Sequence, residues 1–315
     1  MVDLGVSAIP NGEATEIFMD QQSRAFWTGS HNIAPASRLE LSHAYAADLA
    51  RSLLRLAFKK VKRTRDVVDS EYNGGAWDRV LSERAWLETP LEEFLVGQSH
   101  SPRLAKVSGQ LVRIATKDYY SYRIGALSEL MARHAGDATS LIELGAGTGY
   151  NLFSLSLNPR WTQLRGFDIA PNGIEAGRQI ARHYGLDGRV SFDRIDLTDA
   201  HDPQFGQLAG ATVFTHFCIE QIPYAVDAVI ENILRARPSR VVNIEPAIDM
   251  LSLSDPRDLA SFLYLKSVDY QTRLFALLDE LERKGRIRIL ARERMAYAPT
   301  LHNDGLLYAW EPLGG

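Results

Sequence analysis

After Gly136 the chain alternates short apolar runs with longer stretches of helical period, and this alternation restricts the fold more than any other feature. "SLIEL", "QLRGF", "RVSFDRI", "ATVFTHF" and "RVVNIEP" read as strands. Helices are expected after the glycine turn that follows "SLIEL", from Pro171, from about Tyr224 to Ala236, and from about Arg257 to Lys284. The last of these carries Leu259, Phe262, Leu263, Leu274, Leu277, Leu278 and Leu281, while only a short crossover follows "RVSFDRI". Strands joined by helices cannot be hairpins, so they imply right-handed crossovers and a parallel sheet. The ending differs: "RIRILARERMAYAP" and "GLLYAWEPL" flank a turn with Pro299, Asn303, Asp304 and Gly305, and are expected to pair as a hairpin at one side.

Upstream the character is helical. Residues 1 to about 35 mix Gly, Pro, Asn and Ser without a period and read as an arm. From Ser37, Leu39, Leu49, Leu53, Leu56 and Val61 recur at helical spacing, with Arg51, Arg55, Lys59 and Lys60 between them. Short helical pieces continue through "AWDRVLSERAWLETPLEEFLVG", and "KDYYSYRIGALSELMARHAG" forms a helix closed by Gly136. The expected organisation is an N-terminal arm and helical domain over 1–115 and an α/β domain over 116–315. The apolar stripes of the N-terminal helices need a partner, which makes them a cap, a lid or a homodimer contact.

A net charge of -4 over 315 residues leaves no electrostatic footprint for nucleic acid or an anionic membrane surface. The run "KKVKRTR" reads as a solvated helix end. One cysteine, Cys218, forbids an intramolecular disulfide, and neither a leader-like start nor a long apolar run is visible, so a cytoplasmic protein is expected. No H-x-x-x-H or C-x-x-C spacing appears, and no metal is expected.

The turn after the first strand, "LIELGAGTGYN", places Gly145, Gly147 and Gly149 at alternate positions. A dinucleotide turn would want glycine at Tyr150, and a phosphate-binding loop would want a lysine. Glu143, two residues before the first glycine, would repel a pyrophosphate and suits a cation. This stretch resembles the first motif of class I S-adenosylmethionine-dependent methyltransferases. "LRGFDIAP" resembles the second, with Asp168 and Ile169 at the ribose, and "VSFDRIDLTD" the third, with Asp196 at the adenine amino group and the Leu197 backbone beside the ring. The resemblance covers about Lys117 to Trp310. It implies S-adenosyl-L-methionine as cofactor and a Rossmann-like seven-stranded sheet with an antiparallel last strand. It also implies that Gly145, Gly147 and Gly149 lie under the cofactor while Glu143 attends its methionine end.

Methyl transfer is an in-line displacement that needs alignment and the handling of one proton. "VFTHFCIEQIPY" offers His216, Glu220 and Gln221 near the reacting end, and the next strand ends in Glu245, with Asp249 following. Glu220, Glu245 and His216 are the catalytic candidates. Carboxylates around the acceptor suggest a cationic small molecule, and a guanidinium pairs with them bidentately. "KDYYSYR" resembles the cofactor-covering helix of protein arginine methyltransferases, with Ser121 in place of their arginine and Arg123 two residues on. The nearest resemblance is to free-arginine N-methyltransferases of nitrosourea pathways, which lack a C-terminal barrel. N-methylation of a basic nitrogen such as that of free L-arginine is therefore the leading expectation. O-methylation with His216 or Glu220 as base, and a non-catalytic cofactor-binding or assembly module, are the alternatives. Tyr119, Tyr120 and Tyr122 read either as a lid, with Tyr120 on the cofactor, or as a packing face.

Overall fold

The computed structural model describes residues 33–58, 62–108, 110–246, 248, 251–295, 297, 298, 300 and 305–314. Most of the arm, the first three residues of "KKVKRTR", Asp249 and the turn residues Pro299, Asn303 and Asp304 lie outside the described residues.

Seven strands form one sheet: β4 (Ser140–Leu144), β5 (Gln163–Asp168), β6 (Val190–Arg194), β7 (Thr212–His216), β8 (Arg240–Pro246), β9 (Ile287–Arg294) and β10 (Gly305–Pro312). Their order is β6-β5-β4-β7-β8-β10-β9. β4 to β8 pair in parallel, and β10 runs antiparallel to both β8 and β9. The expected Rossmann-like sheet and terminal hairpin are present. Central strands carry apolar residues at consecutive positions because both faces are covered: Val213, Phe214, Val241, Val242 and Ile244 are fully buried. On the helix Val226–Ala236, Val226, Val229, Ile230, Ile233 and Leu234 recur at helical spacing and are buried in the core.

The long helix expected near 257–284 is two helices, Pro256–Ser267 and Leu274–Arg283. No glycine or proline separates them. Asp269 turns the chain with φ 56°. Gln271 then holds the break open: its backbone N–H donates to the Glu220 carbonyl (3.1 Å) and its amide to that of Pro246 (3.0 Å). Its Oε1 accepts from Arg273 and Leu274, capping the second helix.

N-terminal to the sheet, α1 (Arg38–Phe58) begins at a reciprocal Ser37–Glu40 capping box. It leaves Leu39, Leu53, Leu54 and Phe58 exposed. α2 (Arg65–Glu71) runs through a wide turn, Tyr72–Trp77, into a further helix, Asp78–Glu83. β2 (Pro102–Val107) and β3 (Gln110–Ala115) form an antiparallel hairpin flanked by β1 (Ala34–Pro35), a small sheet within a region expected to be helical. Ala105, Val107, Val112 and Ile114 alternate inward along it. The expected boundary near 115 falls where β3 passes directly into α5 (Thr116–His134). Asn172 donates two hydrogen bonds of 3.0 Å to Asn73, from its backbone N–H to Oδ1 and from its amide to the carbonyl, and the Tyr150 hydroxyl donates to the Leu95 carbonyl (2.7 Å), fixing the N-terminal elements over the carboxyl ends of the parallel strands. No described helix is long and apolar enough to cross a membrane.

A buried polar chain crosses the sheet. Trp310 Nε1 donates to Asn243 Oδ1 (2.8 Å), and Asn243 Nδ2 donates to the Thr215 hydroxyl (3.0 Å). Replacing Asn243→Leu strands the indole N–H in a dry core, so urea unfolding should show a loss of about 2–3 kcal/mol. A loss below about 0.5 kcal/mol would contradict this account.

Candidate active site

A cleft of about 1020 Å³ opens at the carboxyl ends of β4 to β7. Its floor is the β4 turn, its far walls are the tips of β5 and β6 and the loop after β7, and its roof is α2, the Tyr72–Trp77 turn, Phe94–Gly97 and one side of α5. Gly145 and Gly147 line the floor, whereas Gly149 sits below at the start of the next helix. The turn needs glycine sterically. Gly145 has φ 76° and a Cβ there would strike Cys218 Sγ; one on Gly147 would lie 2.7 Å from the Trp77 ring.

The backbone donors of this turn are already engaged. Gly145 and Ala146 both donate to the Phe167 carbonyl (2.7 and 3.0 Å), and Gly147 donates to Asp168 Oδ2 (2.7 Å). The other oxygen of Asp168 accepts from Ala170 N–H (2.8 Å). Burial raises the Asp168 carboxyl while these N–H groups lower it. With its donors taken and a carboxylate beside it, the floor does not cradle a phosphate. Asp168 and Ile169 line the cleft.

Glu143 is placed differently from the expectation. It is fully buried and does not line the cleft. Its Oε1 accepts from Asn151 Nδ2 (2.6 Å), and Asn151 Oδ1 accepts from Arg123 (2.7 Å). Arg123 and Asn151 reach the cleft, and the Arg123 guanidinium lies 4.7 Å from the Tyr150 ring centre. Glu143 therefore acts through Asn151 and Arg123, because its strand residue points beneath the turn. Sequence reasoning noted Arg123 only as a displaced arginine; its signal is the helix "KDYYSYR", on which Tyr119 and Tyr122 are buried packing residues and Tyr120 lines the cleft.

Asp196 and Leu197 also line the cleft. Asp196 Oδ1 accepts from the Thr198 N–H and hydroxyl (3.0 and 2.7 Å), and Oδ2 pairs with Arg65 of α2 (2.8 Å). Although burial opposes it, these contacts hold the Asp196 carboxyl below its ordinary range.

Glu220 and Glu245, expected as catalytic candidates, are not presented to the cleft. Glu245 Oε1 accepts from Cys218 and Ile219 N–H (3.0 and 3.1 Å), and Oε2 from Glu220 N–H (3.2 Å). The Thr215 hydroxyl adds a further bond. Glu245 thus shapes the loop after β7. Glu220, 4% exposed, accepts from Gln221 Nε2 (2.6 Å) and faces the Tyr270 side of the loop. Burial and the nearby Glu245 carboxyl push its pKa well above the carboxylate range. His216 does line the cleft, with Nε2 3.1 Å from the Tyr297 hydroxyl. Burial first, then Arg123, keeps it neutral. Phe217, Gln221, Ile222 and Tyr72 complete this end.

No sequence-family profile matches the chain, and no curated protein matches it. Among solved structures the fold is similar to that of the cyclase SpnF, at 16% identity over 74% of this chain and 96% of that one, with a TM-score of 0.48. It is similar also to the pyocyanin biosynthetic protein PhzM (15% identity, 62% and 57% covered, TM-score 0.47). A third is the mitomycin 7-O-methyltransferase MmcR (14%, 88% and 69%, TM-score 0.46). These likenesses concern the fold.

Burial pushes the Glu143 carboxyl to about 8. Its folded value lies above its unfolded one, so between about pH 5 and 8 the native state binds more protons and stability falls as pH rises. Glu245, raised by burial to about 7, acts in the same direction. Glu143→Gln should flatten the decline of the urea midpoint over this window; an unchanged slope would refute the buried-acid assignment.

Proposed function

We propose that the protein is an S-adenosylmethionine-dependent methyltransferase that acts on a neutral hydroxyl of a small molecule. The observation that carries the cofactor reading is the Asp168 carboxylate on the cleft floor, bound to Gly147 N–H, where a nucleotide phosphate would otherwise sit. It suits ribose hydroxyls and repels a pyrophosphate. The residues fit the group: Asp168 and Ile169 take the ribose, Asp196 and Leu197 the base, and Arg123 the methionine carboxylate, with Tyr120 beside it. Bound there, the cofactor supplies a methyl carbon activated by positive sulfur.

The protein's part is to align an acceptor against that end and to accept one proton. His216, neutral and on the cleft wall, is the candidate base. The guanidinium clamp expected from Glu220 and Glu245 is replaced by an amide and apolar groups, Gln221, Ile222 and Phe217, which favour a hydroxyl over a cation. Transfer to a basic nitrogen is the second reading; it rests on Asp66 and Asp69, which reach the cleft from α2. A homodimer through the exposed Leu53, Leu54 and Phe58 of α1 belongs to the same proposal.

Calorimetry with S-adenosylhomocysteine tests the cofactor. Arg123→Ala should weaken it at least about tenfold while leaving 5′-methylthioadenosine, which has no carboxylate, unchanged. Equal losses for both ligands would remove the carboxylate role. Incubation with methyl-labelled cofactor and a panel of phenols, alcohols, amines and arginine should label oxygen acceptors; label on amines alone would reverse the choice of acceptor.

A further inference from the structure

Arg65 is a cleft residue to which the cofactor motifs give no role, and it is the one whose side chain pairs directly with Asp196. Its guanidinium lies 2.8 Å from Asp196 Oδ2, and both side chains line the cleft. The second Asp196 oxygen is closed off by Thr198, so Oδ2 is the one available to a ligand. A carboxylate oxygen has two lone pairs, and Oδ2 can accept another donor while Arg65 stays in place. The pair then offers the cleft an acceptor and a donor side by side. Adenine carries the complement, an exocyclic amino donor next to a ring-nitrogen acceptor.

We propose that Arg65 is a cofactor-specificity residue that reads the base edge together with Asp196, donating to a ring nitrogen beside the amino group from which Asp196 accepts. This rests on the S-adenosylmethionine reading above.

The backbone that carries Arg65 is fixed on both sides. Thr64 caps α2. Arg63 N–H donates to Asp269 (2.7 Å), and the buried Arg63 guanidinium lies 4.9 Å from the Tyr270 ring centre with Glu71 at 2.9 Å. Further along, Asn73 is tied to Asn172. Arg65 hangs from an anchored roof, so only its own side-chain freedom is lost on binding, as a specificity contact requires. The side chain is 54% exposed, and a solvated ion pair of that kind adds little to folding. Its purpose is therefore better sought in recognition than in support, and Arg65 variants should fold.

The test is calorimetry of wild type, Arg65→Ala and Arg65→Gln with S-adenosylhomocysteine and its 1-deaza and 7-deaza analogues, in which one ring nitrogen is replaced by C–H. Wild type should bind one of the two analogues about tenfold more weakly than the parent. Both variants should bind the parent about tenfold more weakly than wild type does and lose the discrimination against that analogue. Unchanged or tighter binding of the parent by the variants would overturn the proposal, the tighter case marking Arg65 as a competitor for Asp196. A deaza penalty that persists in the variants would overturn it as well. Failure of wild type to bind any of the three compounds would overturn the cofactor reading itself, before any variant is compared.

Discussion

The Glu245 carboxylate determines how the His216 end of the cleft is built. Three successive backbone N–H groups, those of Cys218, Ile219 and Glu220, converge on it from the loop after β7. Thr215, Asn243 and Trp310 connect it to the neighbouring strands. A loop that leaves a sheet at its carboxyl end must satisfy its donors, and here a buried acid does so in place of water. Phe217, with φ 56°, is the backbone cost of that turn. Because the loop is held this way, His216 and Gln221 rather than the glutamates reach the cleft.

The same logic operates one strand over. The Phe167 carbonyl takes Gly145 and Ala146 N–H and Asp168 takes Gly147 N–H, so the tips of β4 and β5 are sewn together by three hydrogen bonds, and Ala170 N–H folds the β5 loop back on Asp168, which leaves few donors for a ligand. This separates the turn from a phosphate-binding loop of similar composition. The glycines serve the approach of Cys218 and Trp77 as much as the approach of a ligand.

The sheet was legible because its signals are local: apolar runs of strand length, helical periods between them, and a turn-bearing pair at the end. The position of Asp168 and Asp196 at the cleft was legible for the same reason, since both stand where a parallel strand has just ended and the chain turns across the sheet's carboxyl edge. Glu143, Glu220 and Glu245 were misread because side-chain direction at a strand tip depends on parity and loop shape, and both are tertiary. The break at Asp269 and Gln271 was invisible on similar grounds, being held by Glu220 and Pro246 from elsewhere in the chain. The β2–β3 hairpin did leave a trace, the "SGQ" turn between alternating runs, which helical expectations upstream obscured.

With the strand-tip glutamates committed to the backbone, the charges that a ligand meets come mostly from outside the sheet. Arg65, Asp66 and Asp69 belong to α2, and Arg123 to α5, all on the roof. The strand ends supply Asp168, Arg194 and Asp196. The rest of the charge lining the cleft therefore depends on how the N-terminal elements are seated. Their seating is itself specific: Trp77 fills the space over Gly147 that any side chain on the turn would take, and Asn73 closes on Asn172 at the start of the next helix. A sheet end of a common kind thus becomes particular to this chain through the helices laid across it, which carry Arg65, Asp66, Asp69 and Arg123 into the cleft above the strand tips.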